Sequence, residues 1–386
     1  MMRLPEKIRR TLERIVKEMR VKENVYGVGL FGSWSRGDAA PSSDVDLLML
    51  DDGSSSYEYT KRIEIRGLLI DLDHIPKRWI QGPIPPEIDQ KLYETQILYD
   101  RDWSLTNAKL LMVKSYGSLE RVEIRTKMHI VDSDVYLSRA TSAYSREDYQ
   151  SAQVFAVKAF ESILRVLMEA ALEPFSNSRF IVKLGEVTQK LGMHDIFDEF
   201  LETAGLNKSS SAEAERKLKL FKNVWDEISI TTKQNSSELE KTHFKVKTKM
   251  KYYLNPAFLQ GLILRTRFLI ENEKTIEAAH YLNNVSLDII ENYAWLKSSI
   301  NNVKIDHTTL IRCLKNLEEK NPQNYEDIIQ LLNLHDVDEK NAARTIEKTR
   351  KTILNVRKKR KNLIQSMIPF PKNRGGINFM TKTALS

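Results

Sequence analysis

The sequence predicts an α+β chain: a small mixed β-sheet with helices over residues 1–104, followed by all-α helical bundles. Short apolar, β-prone runs crowd the first hundred residues, at Val25–Phe31, Leu47–Leu50 and Leu68–Leu72. The strand signal stops near Leu105. Beyond it, apolar residues recur at helical spacing, most clearly Ala152, Phe155, Ala156, Ala159, Phe160, Ile163, Leu164 and Leu167. Small and large side chains alternate there, as a close-packed bundle requires.

In chain order, Leu4, Ile8, Leu12, Ile15, Val16 and Met19 mark an amphipathic helix whose Lys and Arg face solvent. Val25–Phe31 follows as a buried strand, and Gly32 lets the backbone turn sharply. Ser33–Gly37 supplies a first helical turn, after which Asp38, Pro41, Ser42 and Ser43 bring the chain back as a loop. The next strand opens at Asp44-Val45-Asp46 and gives way to a turn rich in Asp, Gly and Ser. Tyr57–Asp73 reads as strand broken near Gly67, and Pro76, Pro83, Pro85 and Pro86 punctuate the exit from the sheet. Glu87–Glu94 reads as a helix, Ile97–Tyr99 as a short last strand.

Residues 105–206 and 207–370 are expected to form two helical domains, with 371–386 a flexible tail. Asn207–Ala214 and Thr231–Glu240 are polar and Ser-rich and read as loops marking a boundary. Glu161 and Arg165, four apart on a helix, read as a surface pair. Glu273–Ile290 lies over Arg146–Ile163 at an offset of 127, which a duplicated hairpin and shared amphipathic patterning explain equally well. Glu339–Ile368 reads as a long helix carrying the basic run Arg357–Lys361.

The chemistry concentrates in VYGVGLFGSWSRGDAAPSSDVDLLML, Val25–Leu50. Backbone N–H groups of a strand-to-helix turn at Gly32 and Ser33, together with the Ser33 hydroxyl, suit phosphate oxygens. Side chains alternate along a strand, so Asp44 and Asp46 share a face. Paired carboxylates there suit a hard cation, Mg²⁺, with Mn²⁺ as a substitute. Leu68–Asp73 supplies a third acid: Asp71 follows the most apolar stretch and is placed mid-sheet beside the pair, with Asp73 on the same face as the alternative. Arg36 is open between a phosphate contact and a helix-end surface charge, and Asp38 reads as a turn or cap residue. Gly32, Ser33, Asp44 and Asp46 coincide by chance at about 10⁻⁵ per start, or below about 10⁻² over a chain of this length.

Gly32-Ser33, ten residues, Asp44-x-Asp46 and an acid in a later strand resemble the nucleotidyltransferase superfamily of the DNA polymerase β type. The run GSWSRGDAAPSSDVDLL is similar to the minimal nucleotidyltransferases, whose usual pattern is GSxARGxAxxxSDxDLL. Trp34 falls at a variable position and Ser35 stands where Ala is usual, and neither touches the phosphate or metal groups. The resemblance covers the first domain. It implies transfer of a nucleoside monophosphate from an NTP, with ATP the expected donor, to a hydroxyl acceptor. Asp44 and Asp46 would be metal ligands, Asp71 the third carboxylate and base, and Gly32 and Ser33 the contacts to the triphosphate.

The helical part resembles bundles that accompany minimal nucleotidyltransferases, including those of the HEPN kind. A ribonuclease of that kind needs Arg and His with four to six residues between them; Arg125 and His129, with three between, come closest, which weakens that reading. Some relatives resembling aminoglycoside nucleotidyltransferases take a base from the helical domain, a role open here to Glu161 or Glu147.

At 386 residues the chain is long enough for two or three domains, and 41% hydrophobic with 29% charged residues suits packed, soluble ones. Cys313 is the single cysteine, which excludes an intrachain disulfide and a thiolate metal site. The charged N-terminus and the lack of any membrane-length apolar run lead to a cytoplasmic expectation. The net charge of +8 is uneven: residues 341–386 carry twelve Lys or Arg against Glu347 alone, or +11, which leaves −3 elsewhere. An RNA contact therefore has to rest on that tail, the alternative being a solvated helix face. The acceptor is open among a small molecule, a protein and RNA, and a non-catalytic nucleotide- or RNA-binding module is the competing class of function.

Overall fold

The computed structural model describes residues 4–53, 55–174, 176, 178–319 and 321–367. The expected tail at 371–386 lies outside the described residues. Among the described residues the five strands are β1 (Val25–Phe31), β2 (Val45–Asp51), β3 (Tyr59–Ile65), β4 (Leu68–Pro76) and β5 (Gln96–Asp100). They form one sheet in the order β3-β4-β2-β1-β5. Only β2 and β4 pair in parallel; the other neighbours are antiparallel, giving the mixed sheet the sequence predicts.

Alternate residues of the strands feed two cores. Val28, Leu30, Leu47, Met49, Ile70 and Leu72 pack with Ile8, Leu12 and Ile15 of α1 (Glu6–Arg20). On the other face Phe31, Leu48, Leu50 and Ile75 meet Leu92 of α3 (Asp89–Glu94) and Leu105, Ala108 and Met112 of α4 (Ser104–Ser115). The short α2 (Gly32–Arg36) joins β1 to the loop before β2. By the same alternation Asp46 and Asp71 belong to the face of Leu48, Leu50 and Ile75.

The helical part opens with the hairpin of α5 (Leu119–Ser145) and α6 (Tyr149–Ala170), along which α16 (Glu339–Met367) packs. Between them run α7 (Phe180–Lys190), α8 (His194–Thr203), α9 (Ser211–Gln234), α10 (Ser236–Lys241) and α11 (Phe244–Tyr253). They are followed by α12 (Pro256–Glu271), α13 (Thr275–Ile300), α14 (Leu310–Leu317) and α15 (Pro322–Leu331). The apolar stripe predicted for α6 is wholly buried. One core joins Ala140, Ala143 and Phe155 to Phe221, Trp225, Leu262 and Tyr293, and a second joins Phe160 and Leu164 to Phe180, Phe200 and Val356. Among the described residues no helix is long and apolar enough to cross a membrane.

Four local expectations are corrected. The polar stretch 231–240 is helical rather than a loop, because buried Ile228 and Thr232 keep α9 seated to Gln234 and α10 follows at once. At the other end, only 207–210 precede α9, whose first turn is capped by Ser210 Oγ accepting from Glu213 N. Glu161 is buried rather than at the surface; Arg165 donates to it at 2.7 Å and His280 Nε2 lies 3.3 Å away. The α5–α6 and α12–α13 turns match at an offset of 126, not 127, with Glu147 and Glu273 both at positive φ and the following helices starting at Tyr149 and Thr275.

Contacts at α3 and at α12 tie the helical part to the first domain. Asp89 of α3, fully buried, accepts from Arg121 Nε at 2.6 Å and Arg125 Nη1 at 3.3 Å, both from α5. At the other contact α12 lies so close to β3 that a Cβ on Gly261 would fall 2.7 Å from Arg62 Nη1, and Asn255 Nδ2 donates to the Arg62 carbonyl at 2.9 Å. Removing one member of a buried ionic cluster costs about 3–5 kcal/mol. Asp89→Ala should therefore lower the urea midpoint of unfolding followed by Trp fluorescence, with a loss of about that size. A midpoint unchanged from wild type would contradict the role given to this contact.

Candidate active site

The parallel register of β2 and β4 sets Asp46 directly opposite Asp71, and Leu48 opposite Asp73. Asp44 immediately precedes β2. These four acids, with Gly32, Ser33 and Arg36, line a cavity of about 770 Å³ whose opposite wall is helical: Tyr252 of α11, Phe258 and Arg265 of α12, and Tyr281 of α13. Gly32 takes φ +72°, and a Cβ there would lie 2.3 Å from Asp46 Oδ2. Only glycine lets the end of β1 turn this tightly against the carboxylate.

The acids are unequally compensated. Arg62 of β3 faces Asp71 across the β3–β4 ladder and donates from Nε at 2.6 Å, while its Nη2 bonds both Asp71 and Asp44. Arg265 Nη2 binds the other oxygen of Asp44, and the Tyr252 hydroxyl donates to Asp71 Oδ2 at 3.0 Å. Asp46 has no hydrogen bond or ion pair among the described residues. Burial first, then the charges of Asp44 and Asp71, push its carboxyl well above the usual range. Burial would also raise Asp44, but Arg265 and Arg62 outweigh it and hold that carboxyl low. Burial wins at Asp71, which is raised despite Arg62. Asp73 is engaged elsewhere, by Thr60 Oγ1 at 2.6 Å and Lys91 Nζ at 2.9 Å.

On the turn side, Gly32 N–H donates to Glu94 Oε2 at 3.2 Å, and Arg36 Nη1 donates to the same oxygen at 2.7 Å. The Glu94 side chain is 4% exposed and that of Arg36 only 19%. Arg36 is thus not a solvated helix-end charge, since it is bound to a buried carboxylate. Asp38 is more than a turn residue, because Arg179, just before α7, donates to its Oδ2. Arg125 and His129 line the same cavity, with Arg125 tied to Glu169 at 2.6 Å. Glu161 lines a different cavity, and Glu147 sits in the α5–α6 turn, so neither lies with the aspartates.

The family model described as a nucleotidyltransferase domain matches residues 10–99. Those residues are a nucleotidyltransferase domain. Among solved structures, a nucleotidyltransferase-like protein from Exiguobacterium sibiricum is similar over 73% of this chain and 80% of its own, at 13% identity and a TM-score of 0.32. No curated protein matches the chain.

Within the nucleotidyltransferase domain the donor chemistry suits a hard divalent cation: carboxylate oxygens, one of them on an Asp46 that has no partner among the described residues. Among the described residues, however, no three side chains stand ready as a metal cluster. Guanidinium groups bond oxygens of Asp44 and Asp71, so a cation shared by all three acids has to share those oxygens with the guanidinium groups or displace one of them.

Arg62, Arg265, Tyr252 and Glu94 are functional candidates that the sequence reading missed. One of them left a signal: the strands flanking Arg66-Gly67 form a hairpin, and counting outward from Ile65 opposite Leu68 brings Arg62 opposite Asp71. Arg265 left none, being 221 residues from its partner Asp44. Gly32→Ala should dislodge Asp46 and abolish Mn²⁺ binding measured by calorimetry, with the far-ultraviolet circular dichroism of the domain retained. Undiminished Mn²⁺ affinity would show that this close approach does not matter to the site.

Proposed function

We propose that the chain is a metal-dependent nucleotidyltransferase that moves a nucleoside monophosphate, AMP from ATP, to an acceptor hydroxyl. The observation that carries this reading is Asp46 beside Asp71 on parallel strands, with Asp44 adjacent, across one cavity from the Gly32–Ser33 turn. Asp44, Asp46 and Asp71 would hold Mg²⁺ or Mn²⁺, which when bound lowers the pKa of the acceptor hydroxyl and neutralises charge on the leaving pyrophosphate.

The chain's own residues do the rest. The Ser33 hydroxyl, which makes no hydrogen bond among the described residues, receives the phosphates, and Gly32 N–H and Arg36 join it by exchanging Glu94 for phosphate oxygens. The acceptor oxygen bonds the α-phosphorus as the bond from that phosphorus to the β-phosphate's bridging oxygen breaks. Pyrophosphate departs, and the hydroxyl proton passes to Asp71. Such a displacement needs chiefly alignment and charge compensation, which a walled cleft lined by acids and guanidinium groups provides.

A second reading, a non-catalytic nucleotide-binding module, is favoured by the guanidinium groups that already compensate Asp44 and Asp71. Pyrophosphate release from ATP with Mg²⁺ separates the two, since the module releases none. An RNA acceptor draws on α16: Lys358, Lys359 and Lys361 are exposed and have no ion pair among the described residues, whereas Arg357 is bound to Asp134. Label from α-labelled ATP added to a lysate should appear in RNA, in protein or in small molecules accordingly. Asp46→Ala should abolish incorporation of labelled AMP while leaving the unfolding midpoint near wild type. Wild-type incorporation by a folded Asp46→Ala protein would refute the assignment.

A further inference from the structure

Arg265 is the one basic residue of the helical part that touches an acid of the triad, among the described residues. Its Nη2 binds Asp44 Oδ1, its Nη1 lies 3.5 Å from the Tyr281 hydroxyl, and its guanidinium stands 5.5 Å over the Tyr281 ring. The side chain is only 17% exposed. Its backbone is held in place, because Gly261, one helical turn earlier, is pressed against Arg62 and Leu69 of the sheet. A long side chain on a fixed anchor can change partners without moving the helix.

Both oxygens of Asp44 are engaged, Oδ1 by Arg265 and Oδ2 by Arg62. A cation binding Asp44 brings its charge against both guanidinium groups and favours displacing the less firmly held one. Arg62 is the harder to move, since Asp71 grips it through both Nε and Nη2 and the rings of Tyr252 and Phe258 lie 5.4 and 5.3 Å from its guanidinium. Arg265 has Asp44 as its single ionic partner among the described residues. Once released, a largely desolvated guanidinium requires another anion. Asp46 and Asp71 would be committed to the cation and Asp73 is bound to Lys91. Three of the other carboxylates lining the cavity, Asp38, Glu94 and Glu169, are paired with arginines, and a bound nucleotide brings a phosphate chain whose oxygens match the guanidinium fork.

We propose that Arg265 exchanges partners, holding Asp44 until a divalent cation takes that carboxylate and then binding the triphosphate. This rests on the nucleotidyltransferase reading and goes beyond it: the helical part supplies a nucleotide ligand and senses whether the acids are loaded. A residue that competes with the cation but supports the nucleotide affects the two ligands with opposite signs.

The test uses the full chain and two variants, Arg265→Gln and Arg265→Lys. Mn²⁺ binding is measured by electron paramagnetic resonance without nucleotide, and α,β-methylene-ATP binding by calorimetry with Mg²⁺. Arg265→Gln should bind Mn²⁺ at least about fivefold tighter and the ATP analogue at least about fivefold weaker. Arg265→Lys, which keeps the charge but not the fork, should show the same signs with smaller changes and serves alone if the Gln variant does not fold. Changes of the same sign for both ligands, or no change in either, overturn the proposal. A wild-type chain that binds neither Mn²⁺ nor the analogue defeats the nucleotidyltransferase reading itself, a distinguishable result.

Discussion

Carboxylates brought together out of water repel one another, and the cleft is shaped by the need to answer that repulsion. At an effective dielectric near 20, like charges about 4 Å apart repel by roughly 4 kcal/mol. Pairing β2 with β4 in parallel imposes the proximity of Asp46 and Asp71, whatever the acids themselves prefer. Arg62 from the sheet and Arg265 from α12 offset two of the three charges, and the Tyr252 hydroxyl gives Asp71 a further donor. Asp46 is left over, with its carboxyl pushed upward. The electrostatic deficit of the cleft is therefore greatest at one residue, the acid that the Gly32 turn approaches most closely.

The helical part is consequently a wall of the site rather than an appendage to it. The short helix α3 carries contacts in both directions: Asp89 at its start binds the two arginines of α5, and Glu94 at its end binds Gly32 N–H and Arg36. Across the cleft, α12 meets β3 at a glycine, so Arg62 and Arg265 can converge on Asp44 from opposite units. Ionic contacts at α3 and close packing at α12 together fix the distance between sheet and helices.

What the sequence could reveal follows from how local each feature is. β1 was readable to the residue because an uninterrupted apolar run ends at a glycine, and the same-face placing of Asp71 with Asp46 needed only strand alternation and one parallel pairing. Arg62 was within reach of hairpin counting but was passed over. Glu94 and Arg265 were not legible, because each acts through a tertiary contact that no periodicity encodes. The polar segment 231–240 misled for the opposite reason: its serines and glutamates face solvent while the helix beneath is kept by a few buried residues of α9. Glu161 misled likewise, since spacing four from an arginine marks a helix pair but not its burial.

Anomalous diffraction from crystals grown with Mn²⁺ and α,β-methylene-ATP tests most directly whether Asp46 is a metal ligand. An anomalous peak bonded to Asp46 and shared with Asp44 or Asp71, with phosphate density at Gly32–Ser33, is the predicted map. A map with no peak at Asp46, or with the phosphates bound away from that turn, would contradict it.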